Sequence, residues 1–337
     1  MDWSKGYSSR FMAYEVDPIT WKDFERVELI GGSISKGTDA LQQSANIDVE
    51  SFDGSTEKWI RIYFDARQDL DSYHGAMFTG LASSPNKQYE GNSLTTPVQL
   101  YSVLKPLDDI FLQKGWFAAA NADGVAIVQE LLKVTPAPVV VDGSAPRLRE
   151  AIIAEDNETN LTMAIAILDA IGWVFDIQGD GTIHLRPINN SVPNDLVTFS
   201  ALNYDCLETN VDIEYDWFSA PNVYRAVSGE TIAIARDDDP QSPISTVSRG
   251  REVWSEERDV VLNDNETLDM FAKRRLEALQ KVFYKVKYTR RYHPDVDIHT
   301  IIGLNYPKQE LSGYFKVQSQ SFNLGHNAAV SEEAVKI

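Results

Sequence analysis

The chain has 337 residues, a length that predicts two or three domains at roughly 100–200 residues each. Hydrophobic residues make up 43% and charged residues 24%, which excludes a disordered or a fibrous chain. The 50 Asp and Glu residues outnumber the 31 Lys and Arg residues, so the formal net charge is −19. Such a chain is not expected to hold nucleic acid across its whole surface, because phosphate binding requires a basic footprint.

Two sequence features bear on the compartment. Cys206 is the single cysteine, which excludes an intrachain disulfide and a thiolate-rich metal site and fits a reducing compartment. The first residues lack the apolar core of a signal peptide. The longest apolar stretch, 164–175, is interrupted by Asp169 and Gly172 and is well short of the roughly 20 residues of a membrane span. We therefore expect a soluble protein with no membrane anchor.

Residues 1–95 are predicted to be antiparallel β-structure. Segments 9–16 and 21–30 flank a turn at Asp17-Pro18, and segments 44–50 and 59–67 carry apolar residues at every second position. Short glycine-containing segments are predicted to be turns: they are Gly31-Gly32, Asp53-Gly54 and His74-Gly75. Several short strands without a helix favour a small antiparallel barrel or sandwich.

Residues 96–190 have the pattern of an α+β module. Thr96-Pro97 predicts the start of a helix, with apolar residues at helical spacing from 100 to 111 and a kink at Pro106. Two more helices are predicted over 123–133 and 158–171, the second ending before Gly172. The segment 179–181 then predicts a hairpin turn between strands at 173–177 and 182–186.

Residues 191–325 return to the β pattern. The predicted strands lie at 210–215, 222–227, 231–235, 252–261, 281–292, 299–304 and 313–324. One amphipathic helix is predicted over 264–282, with Asp264 or Asn265 as its N-cap. The tail, 326–337, has no evident partner and is expected to be mobile. The fold class is therefore mainly β within the α+β class, with two β regions separated by an α+β insert.

No segment has the spacing of a nucleotide or metal motif. In the glycine-rich run 31–38, Lys36 precedes Gly37, which is the wrong order for a phosphate loop, so a turn is favoured. His293–His299 is a cluster of imidazoles and carboxylates; a polar loop is favoured over a zinc site with three or four ligands. The acidic run 237–239 lacks calcium-loop spacing and is interpreted as a solvated loop.

The search for a nucleophile also finds no signature. Acidic residues flank Cys206 and disfavour its thiolate, and no G-x-S-x-G turn occurs. A pair of catalytic carboxylates cannot be chosen from 50 candidates by sequence. We therefore predict no catalytic, cofactor-binding or metal-binding residues, and no enzyme activity.

Charge is distributed in blocks near the C-terminal end. Residues 201–260 contain 13 acidic and 5 basic residues, whereas residues 264–291 contain eight Lys and Arg residues. Opposite blocks suit complementary contacts between subunits. An ordinary solvated helix and strand would have the same pattern, so both interpretations stay open.

The ordered set of segments resembles the baseplate hub proteins of tailed bacteriophages and related injection machines. The resemblance is carried by residues 14–21, 31–35, 44–48, 159–161, 171–173, 180–183, 186–187, 272–276, 311–317 and 319–324. It implies two similar tail-tube-like β-barrel domains, at 1–95 and 191–325, around the insert at 96–190. It further implies a homotrimer whose six barrels form a pseudo-sixfold ring.

The same resemblance implies a structural function in the virion. Such a ring would join the hexameric tail tube, or a distal tail protein, to a threefold tip or spike, with a tape measure protein as a further neighbour. DNA would be passing cargo in the channel, and the acidic composition suits a wall that does not retain phosphates. Synthesis in the host cytoplasm would precede assembly into the tail.

Two alternatives remain open at this stage. The 7 Trp and 14 Tyr residues would suit a carbohydrate- or cell-wall-binding module of a tail tip, with Trp21 and Trp59 as the first candidates for sugar stacking. Most of these aromatic residues occupy alternating strand positions and are more simply explained as core. A hydrolase with a carboxylate pair is the third hypothesis.

Overall fold

A computed structural model gives the architecture of the chain. It describes all residues except 84, 86–87, 91–92, 190, 204–205, 259, 261, 263–265, 282 and 326–328. The α-helices are α1 Lys105–Asp108, α2 Gly124–Leu131, α3 Asn160–Ala170, α4 Thr246–Arg249 and α5 Leu268–Lys281. The N-terminal strands are β1 Ser8–Val16, β2 Asp23–Val27, β3 Leu29–Lys36, β4 Gln43–Val49, β5 Trp59–Gln68, β6 Asp71–Ala82, β7 Gln88–Glu90 and β8 Ser93–Ser102. The central strands are β9 Phe117–Ala118, β10 Val139–Val141, β11 Ile152–Ile153, β12 Trp173–Ile177 and β13 Ile183–Pro187. The C-terminal strands are β14 Thr198–Ser200, β15 Leu207–Tyr215, β16 Val223–Ser228, β17 Thr231–Arg236, β18 Trp254–Arg258, β19 Tyr284–Arg291, β20 Ile301–Tyr306, β21 Leu311–Asn323 and β22 Ala329–Lys336.

Two groups of six strands have the same spatial order. We name β1, β3, β4, β5, β6 and β8 the front unit, and β14, β15, β19, β20, β21 and β22 the rear unit. The front order is β1-β5-β6-β8-β4-β3, and the rear order is β14-β20-β21-β22-β19-β15. When the six strands of each unit are numbered by their position in the chain, the spatial order in both units is first, fourth, fifth, sixth, third and second. One pairing differs in direction, because β1–β5 is antiparallel whereas β14–β20 is parallel.

Strand pairing joins the two units into one sheet. β3 of the front unit pairs with β21 of the rear unit, which makes a single 14-stranded sheet. Alternation along the strands buries one face of each unit: Ile47 and Phe64 lie in the front core, and Phe315 and Val317 lie in the rear core. The predicted fold class, mainly β with two antiparallel β units and an α+β insert, is confirmed.

The insert and a small accessory layer have their own cores. Helices α1, α2 and α3 pack with β12 and β13 around a separate apolar cluster that also includes Trp59 of the front unit. The sheet β17-β16-β18 packs against α5. None of the helices in the described residues has the length and apolarity that crossing a membrane requires.

The helix predicted from residue 96 is wrong. Ser93–Ser102 is strand β8, which crosses residue 96 and pairs with β4 and β6. Between residues 103 and 111, all of which the structure describes, the only helix is the single turn α1. Val98 and Leu100 are buried on one side of that strand, so the relevant period is two. The buried residues at 103, 104 and 107 that suggested a helix lie in the turn after the strand and in α1. Pro106 occupies the first turn of α1 and causes no kink.

Two of the predicted turns are also wrong. Gly31 and Gly32 lie inside β3, where the strand has a bulge, and His74 and Gly75 lie inside β6. Gly32 has a φ of +142°, and a Cβ there would lie 2.3 Å from the carbonyl oxygen of Asn46. Glycine is therefore required by a close approach of two strands rather than by a turn.

The C-terminal end differs from expectation as well. Residues 329–336 form β22, which pairs with β19 on one side and β21 on the other, so this part of the tail is a central strand. The predicted helix is present as α5, but its proposed caps, 264 and 265, lie outside the described residues. Helices α2 and α3, with Gly172 at φ +70°, and the β12–β13 hairpin confirm the predictions for those segments.

Candidate assembly interface

The contact between the units, which we name the seam, is built on backbone pairing. Ser33–Lys36 of β3 pair with Asn323–Gln320 of β21 in antiparallel register. Lys36 is 7% exposed, and its ammonium forms an ion pair with Asp297 in the loop before β20. The same ammonium lies 5.9 Å from the ring centroid of Phe322. One buried lysine of the front unit therefore contacts both a strand and a loop of the rear unit.

The N-terminal segment adds a second layer to the seam. Trp3 makes edge-to-face contacts with Tyr7 and Tyr292, at centroid distances of 5.3 and 6.4 Å. The Tyr7 hydroxyl donates a 2.9 Å hydrogen bond to the carbonyl oxygen of Tyr292, and burial raises the Tyr7 pKa. The Asn203 amide donates to the carbonyl oxygen of Ser4 at 3.1 Å. The N-terminal segment thus contacts the rear unit region at Asn203 and Tyr292 and helps to fix the relative position of the units.

A row of hydroxyl side chains crosses the seam on the face opposite the two cores; we name it the hydroxyl row. Each member is directly paired with the next across β8, β4, β3, β21, β22 and β19. In that order the members are Tyr101, Ser44, Ser35, Ser321, Ser331 and Thr289. All are exposed or partly exposed. The sequence already contained the signal, since serine alternates at 33 and 35 and at 319 and 321.

A parallel row beside it is also polar and uncharged. Gln99, Asn46, Ser33 and Asn323 are paired across β8, β4, β3 and β21. A shallow groove of about 510 Å³ runs over this face and includes Ser35, Ser321 and Ser331 in its lining. In a chain of which 24% is charged, an uncharged strip across two units is a distinctive surface.

Charged side chains occupy the rear margin of the groove and are paired with one another. Lys287 of β19 contacts Glu214 of β15 at 2.9 Å and Glu333 of β22 at 3.7 Å. The hydrogen bond to Glu214 raises the Lys287 pKa, and the same bond lowers the Glu214 pKa. The margin therefore offers no unpaired lysine of β19 at this point to a passing phosphate.

A buried ionic cluster lies beneath this face, in the rear core. Arg290 and Glu332 have fully buried side chains and form a bidentate pair, with N–O distances of 2.8 and 2.6 Å. The Tyr288 hydroxyl and the Gln320 amide also donate to the Glu332 carboxylate, at 2.5 and 2.6 Å. Burial raises the pKa of Tyr288 well above its usual value. The cluster links β19, β21 and β22, and Gln320 lies at the seam.

The predicted histidine cluster is a folded loop. His293 Nδ1 lies 3.8 Å from Asp295, whereas the side chain of His299 is separate and partly buried, and this burial lowers the pKa of His299 to about 4. Among the residues that the structure describes, none forms a hydrogen bond with the Nε2 atom of His299. Across the described residues, no group of three or more His, Cys, Asp or Glu side chains converges closely enough to hold a metal ion. The loop is positioned by the Lys36–Asp297 pair and by a backbone bond from His299 to Val317.

The insert is anchored to the front unit by its hairpin turn. The Arg61 guanidinium and the Trp21 indole both donate to the carbonyl oxygen of Asp180, each at 2.9 Å. The Thr79 hydroxyl donates to the carbonyl oxygen of Gly179 at 2.8 Å. Trp59 is 6% exposed and packs edge-to-face on Trp21. These two tryptophans, which the sugar-binding hypothesis invoked, instead form the contact between the front unit and the insert.

The opposite charge blocks meet partly within the chain. Arg275 of α5 forms an ion pair with Glu257 of β18 at 2.9 Å, which joins the two blocks. Arg274 forms an ion pair at 2.7 Å with Glu266, which lies within the basic block itself. The two arginines thus bind acidic residues of their own accessory layer.

Cys206 is buried, and its thiol donates to the carbonyl oxygen of Trp3 at 3.3 Å.

The chain is similar to known proteins in its fold, but no known family or curated protein matches its sequence. The tail protein from Neisseria meningitidis MC58 has a TM-score of 0.69 at 14% identity, covering 98% of this chain and 97% of that one. The 43 kDa tail protein of prophage MuSo2 from Shewanella oneidensis has a TM-score of 0.66 at 12% identity, with the same coverage. This chain has the fold of these tail proteins.

A third similar structure comes from a secretion machine. The Escherichia coli c3393 protein is described as a component of the type VI secretion system with structural similarity to the T4 bacteriophage tail proteins gp27 and gp5. Its TM-score is 0.51 at 10% identity, covering 92% of this chain and 74% of that one. The resemblance to tail hubs inferred from the sequence is therefore confirmed at the level of the fold.

Proposed function

We propose that the protein is a non-enzymatic structural component of a phage-type tail, a homotrimeric hub around a channel. The observation that carries this proposal is the repeat of one strand order in the front and rear units. A chain with two similar units gives six units in a trimer. Such a trimer can match a sixfold partner on one side and a threefold partner on the other.

The partners follow from this change of symmetry. The sixfold side would bind the hexameric tail tube or a distal tail protein, and the threefold side would bind a tip or spike protein. The tape measure protein would lie against the ring before ejection. The protein would be located in the tail of the virion after synthesis in the host cytoplasm.

The hydroxyl row supports the assignment of a channel wall. The two apolar cores lie on one face of the sheet, and the hydroxyl row lies on the other face, which the cores do not cover. A wall with hydroxyl and amide groups has no cations with which to release counterions from DNA, so it would bind passing phosphates weakly. A net charge of −19 adds a general repulsion of polyanions.

The test is the oligomeric state and shape of the purified protein. We expect light scattering to give three times the chain mass of 37.8 kDa, and electron microscopy to show a ring with six lobes and a central hole. Monomers alone at high concentration, with tail tube and tip proteins added, would contradict the proposal. Hydrolysis of a cell-wall polymer by the clean protein would contradict its non-enzymatic part.

A further inference from the structure

A small cavity of about 90 Å³ lies between the insert and the rear unit, and basic side chains line it from both sides. Arg186 of β13 belongs to the insert, whereas Lys316 of β21 and His299, in the loop before β20, belong to the rear unit. We propose that this cavity binds a small free oxyanion, a phosphate or a carboxylate, which bridges the insert and the rear unit. Each chain would hold such a site whatever its oligomeric state.

The cavity concentrates positive charge in a chain whose net charge is −19. Burial lowers the pKa of Lys316, and the nearby cations Lys281 and Arg186 lower it further. Burial also lowers the pKa of His299 to about 4, and Lys316 and Arg186 make the next largest contributions in the same direction. Two separate groups at the cavity therefore experience a positive potential, and such a potential favours an anion.

Two carboxylates near these cations form ion pairs of their own. Asp176 of β12 lies 2.7 Å from Arg186 Nε, and Asp297 pairs with Lys36 at the seam. The contact with Asp176 uses one of the five N–H donors of the guanidinium and holds Arg186 at the cavity wall. Lys316 and the neighbouring Lys281 add further positive charge at this place.

Backbone hydrogen bonds fix the residues that carry these donors. The His299 N–H donates to the carbonyl oxygen of Val317 at 2.9 Å, which holds His299 beside Lys316. Arg186 is directly paired with Val174 across β12 and β13, and Val174 lines the cavity as well. Among the described residues, none bonds to the Nε2 atom of His299, and a buried polar atom of this kind is a recognised position for contact with an ion or a water molecule.

The size of the cavity and its donors determine the class of ligand. A guanidinium and an ammonium group only donate hydrogen bonds, and a neutral imidazole donates one. Such donors form charge-assisted hydrogen bonds with phosphate or carboxylate oxygens. A volume of about 90 Å³ is well below the roughly 300 Å³ at which pockets for drug-sized ligands begin. A small free anion therefore fits this cavity better than a nucleotide or a stretch of DNA.

Calorimetric titration of the full chain with inorganic phosphate, and separately with acetate, is the first test. Sodium chloride keeps the ionic strength constant, so that general screening does not imitate binding. We expect saturable binding of at least one of the two anions by the wild type. Lys316→Met should raise its dissociation constant about tenfold or more, because one charge-assisted contact is lost. Lys285→Met is the matched control, since Lys285 of β19 is also a partly buried lysine of the rear unit but does not line the cavity.

Nuclear magnetic resonance of the histidine rings tests the site in the wild-type protein. We expect the imidazole resonances of His299 to shift as the anion is added, along the saturation curve that calorimetry gives. His293 is the internal control, because it belongs to the same loop and does not line the cavity. Its resonances should not follow that curve. The variant His299→Asn is used to assign the His299 signal.

Several results would overturn the anion site. They are the absence of saturable binding of both anions, equal dissociation constants for Lys316→Met and Lys285→Met, and anion-dependent shifts at His293 without shifts at His299. Duplex DNA that displaces the small anion from His299 would overturn the assignment to a free ligand. Should Lys316→Met fail to fold, the resonance measurement on the wild type decides the question alone. The hub function has a separate test in the oligomeric state, so either proposal can fail without the other.

Discussion

The front and rear units share one strand order but fill their cores with different chemistry. The front core is built from aliphatic and aromatic side chains, and Phe64 and Phe78 are fully buried in it. The rear core contains the Arg290–Glu332 pair, with both side chains fully buried. The strand order is therefore compatible with an apolar interior and with an ionic one, and the difference must have a local cause.

The location of the ionic cluster suggests that cause. Glu332 receives hydrogen bonds from two neighbouring strands, β19 and β21, and one donor, Gln320, belongs to the stretch of β21 that pairs with β3. Arg290 and Gln320 also donate to the carbonyl oxygen of Val296, in the loop that carries Asp297. The cluster thus orients the strand and the loop that receive the front unit. The front unit contributes Lys36 to that loop contact, through the ion pair with Asp297.

Breaking the ion pair is the change with the largest expected effect. Arg290→Met leaves the Glu332 carboxylate buried without its cation, so we expect the free energy of unfolding to fall by about 3–5 kcal/mol. Chemical denaturation of the two proteins measures this difference. The double variant Arg290→Met with Glu332→Leu removes both charges and is the control. We expect the double variant to lose several-fold less unfolding free energy than Arg290→Met, since no charge is left unpaired. A loss below about 1 kcal/mol for Arg290→Met would show that the cluster is not structurally important.

The contact between the insert and the front unit gives the next largest effect. Gly181 and Gly115 have almost equal φ values, +82° and +81°, but only Gly181 is crowded. A Cβ at Gly181 would lie 2.8 Å from Trp21 and 3.0 Å from Thr79, whereas a Cβ at Gly115 has nothing within 4 Å. We expect Gly115→Ala to cost about 1–2 kcal/mol from its backbone conformation alone. Gly181→Ala should cost about 1–3 kcal/mol more, because the steric clash is added.

Thermal and chemical unfolding of the two glycine variants provides the measurement. Equal losses would mean that the hairpin turn is not held tightly against the front unit. A larger loss at Gly115 would contradict the described anchor altogether.

The pH dependence of stability tests the loop at the seam. Burial, with smaller contributions from Lys316 and Arg186, lowers the pKa of His299 to about 4. The unfolded chain takes up this proton near pH 6.5, so between pH 6.5 and 4 the unfolded state binds more protons than the folded state. The contribution of His299 is therefore fully present above pH 6.5 and is lost as the pH falls toward 4. We expect a loss of about 2 kcal/mol between pH 7 and pH 4.5.

His299→Asn is the matched variant for this measurement. His299 has a φ of +66°, and asparagine tolerates that left-handed conformation better than most residues. Carboxylates and His293 titrate in both proteins. The informative quantity is therefore the difference in unfolding free energy between the wild type and the variant, measured at pH 7 and again at pH 4.5. Identical pH dependence in the two proteins would refute the assignment to His299.

The sequence predicted strands where a single face is apolar and failed where long-range contacts decide. Segments such as β4 and β5 alternate clearly, whereas β8 is followed by buried residues in a turn and in α1 that imitate a helical stripe. β22 was missed because Glu332 occupies a buried position of that strand. Its partner, Arg290, is 42 residues earlier, so no local pattern could reveal that the charge is compensated.

At the candidate interface, too, the local sequence pattern is visible but the long-range pairing is not. The serine alternation in β3 and β21 is visible in the printed sequence, but its meaning depends on the pairing of two strands that are almost 300 residues apart. The repeat of strand order is invisible to local patterns as well, because it is a property of pairing and not of composition. Local patterns therefore predict the fold class and the family resemblance, whereas the seam depends on pairing between strands that are distant in the chain.

The hydroxyl row gives the prediction with the smallest expected effect on stability. Its members at 35, 44 and 321 project from the sheet on the side away from the cores, so replacing these three serines by lysine should change the unfolding free energy by less than about 0.5 kcal/mol per site. Replacement of the same serines by alanine is the control. DNA should bind the lysine variant more tightly, with an affinity that falls steeply as salt rises, because each new cation releases counterions from phosphate. Equal DNA binding by both variants in the assembled ring would place this face away from the channel, and the front and rear units would then share a strand order without sharing a wall.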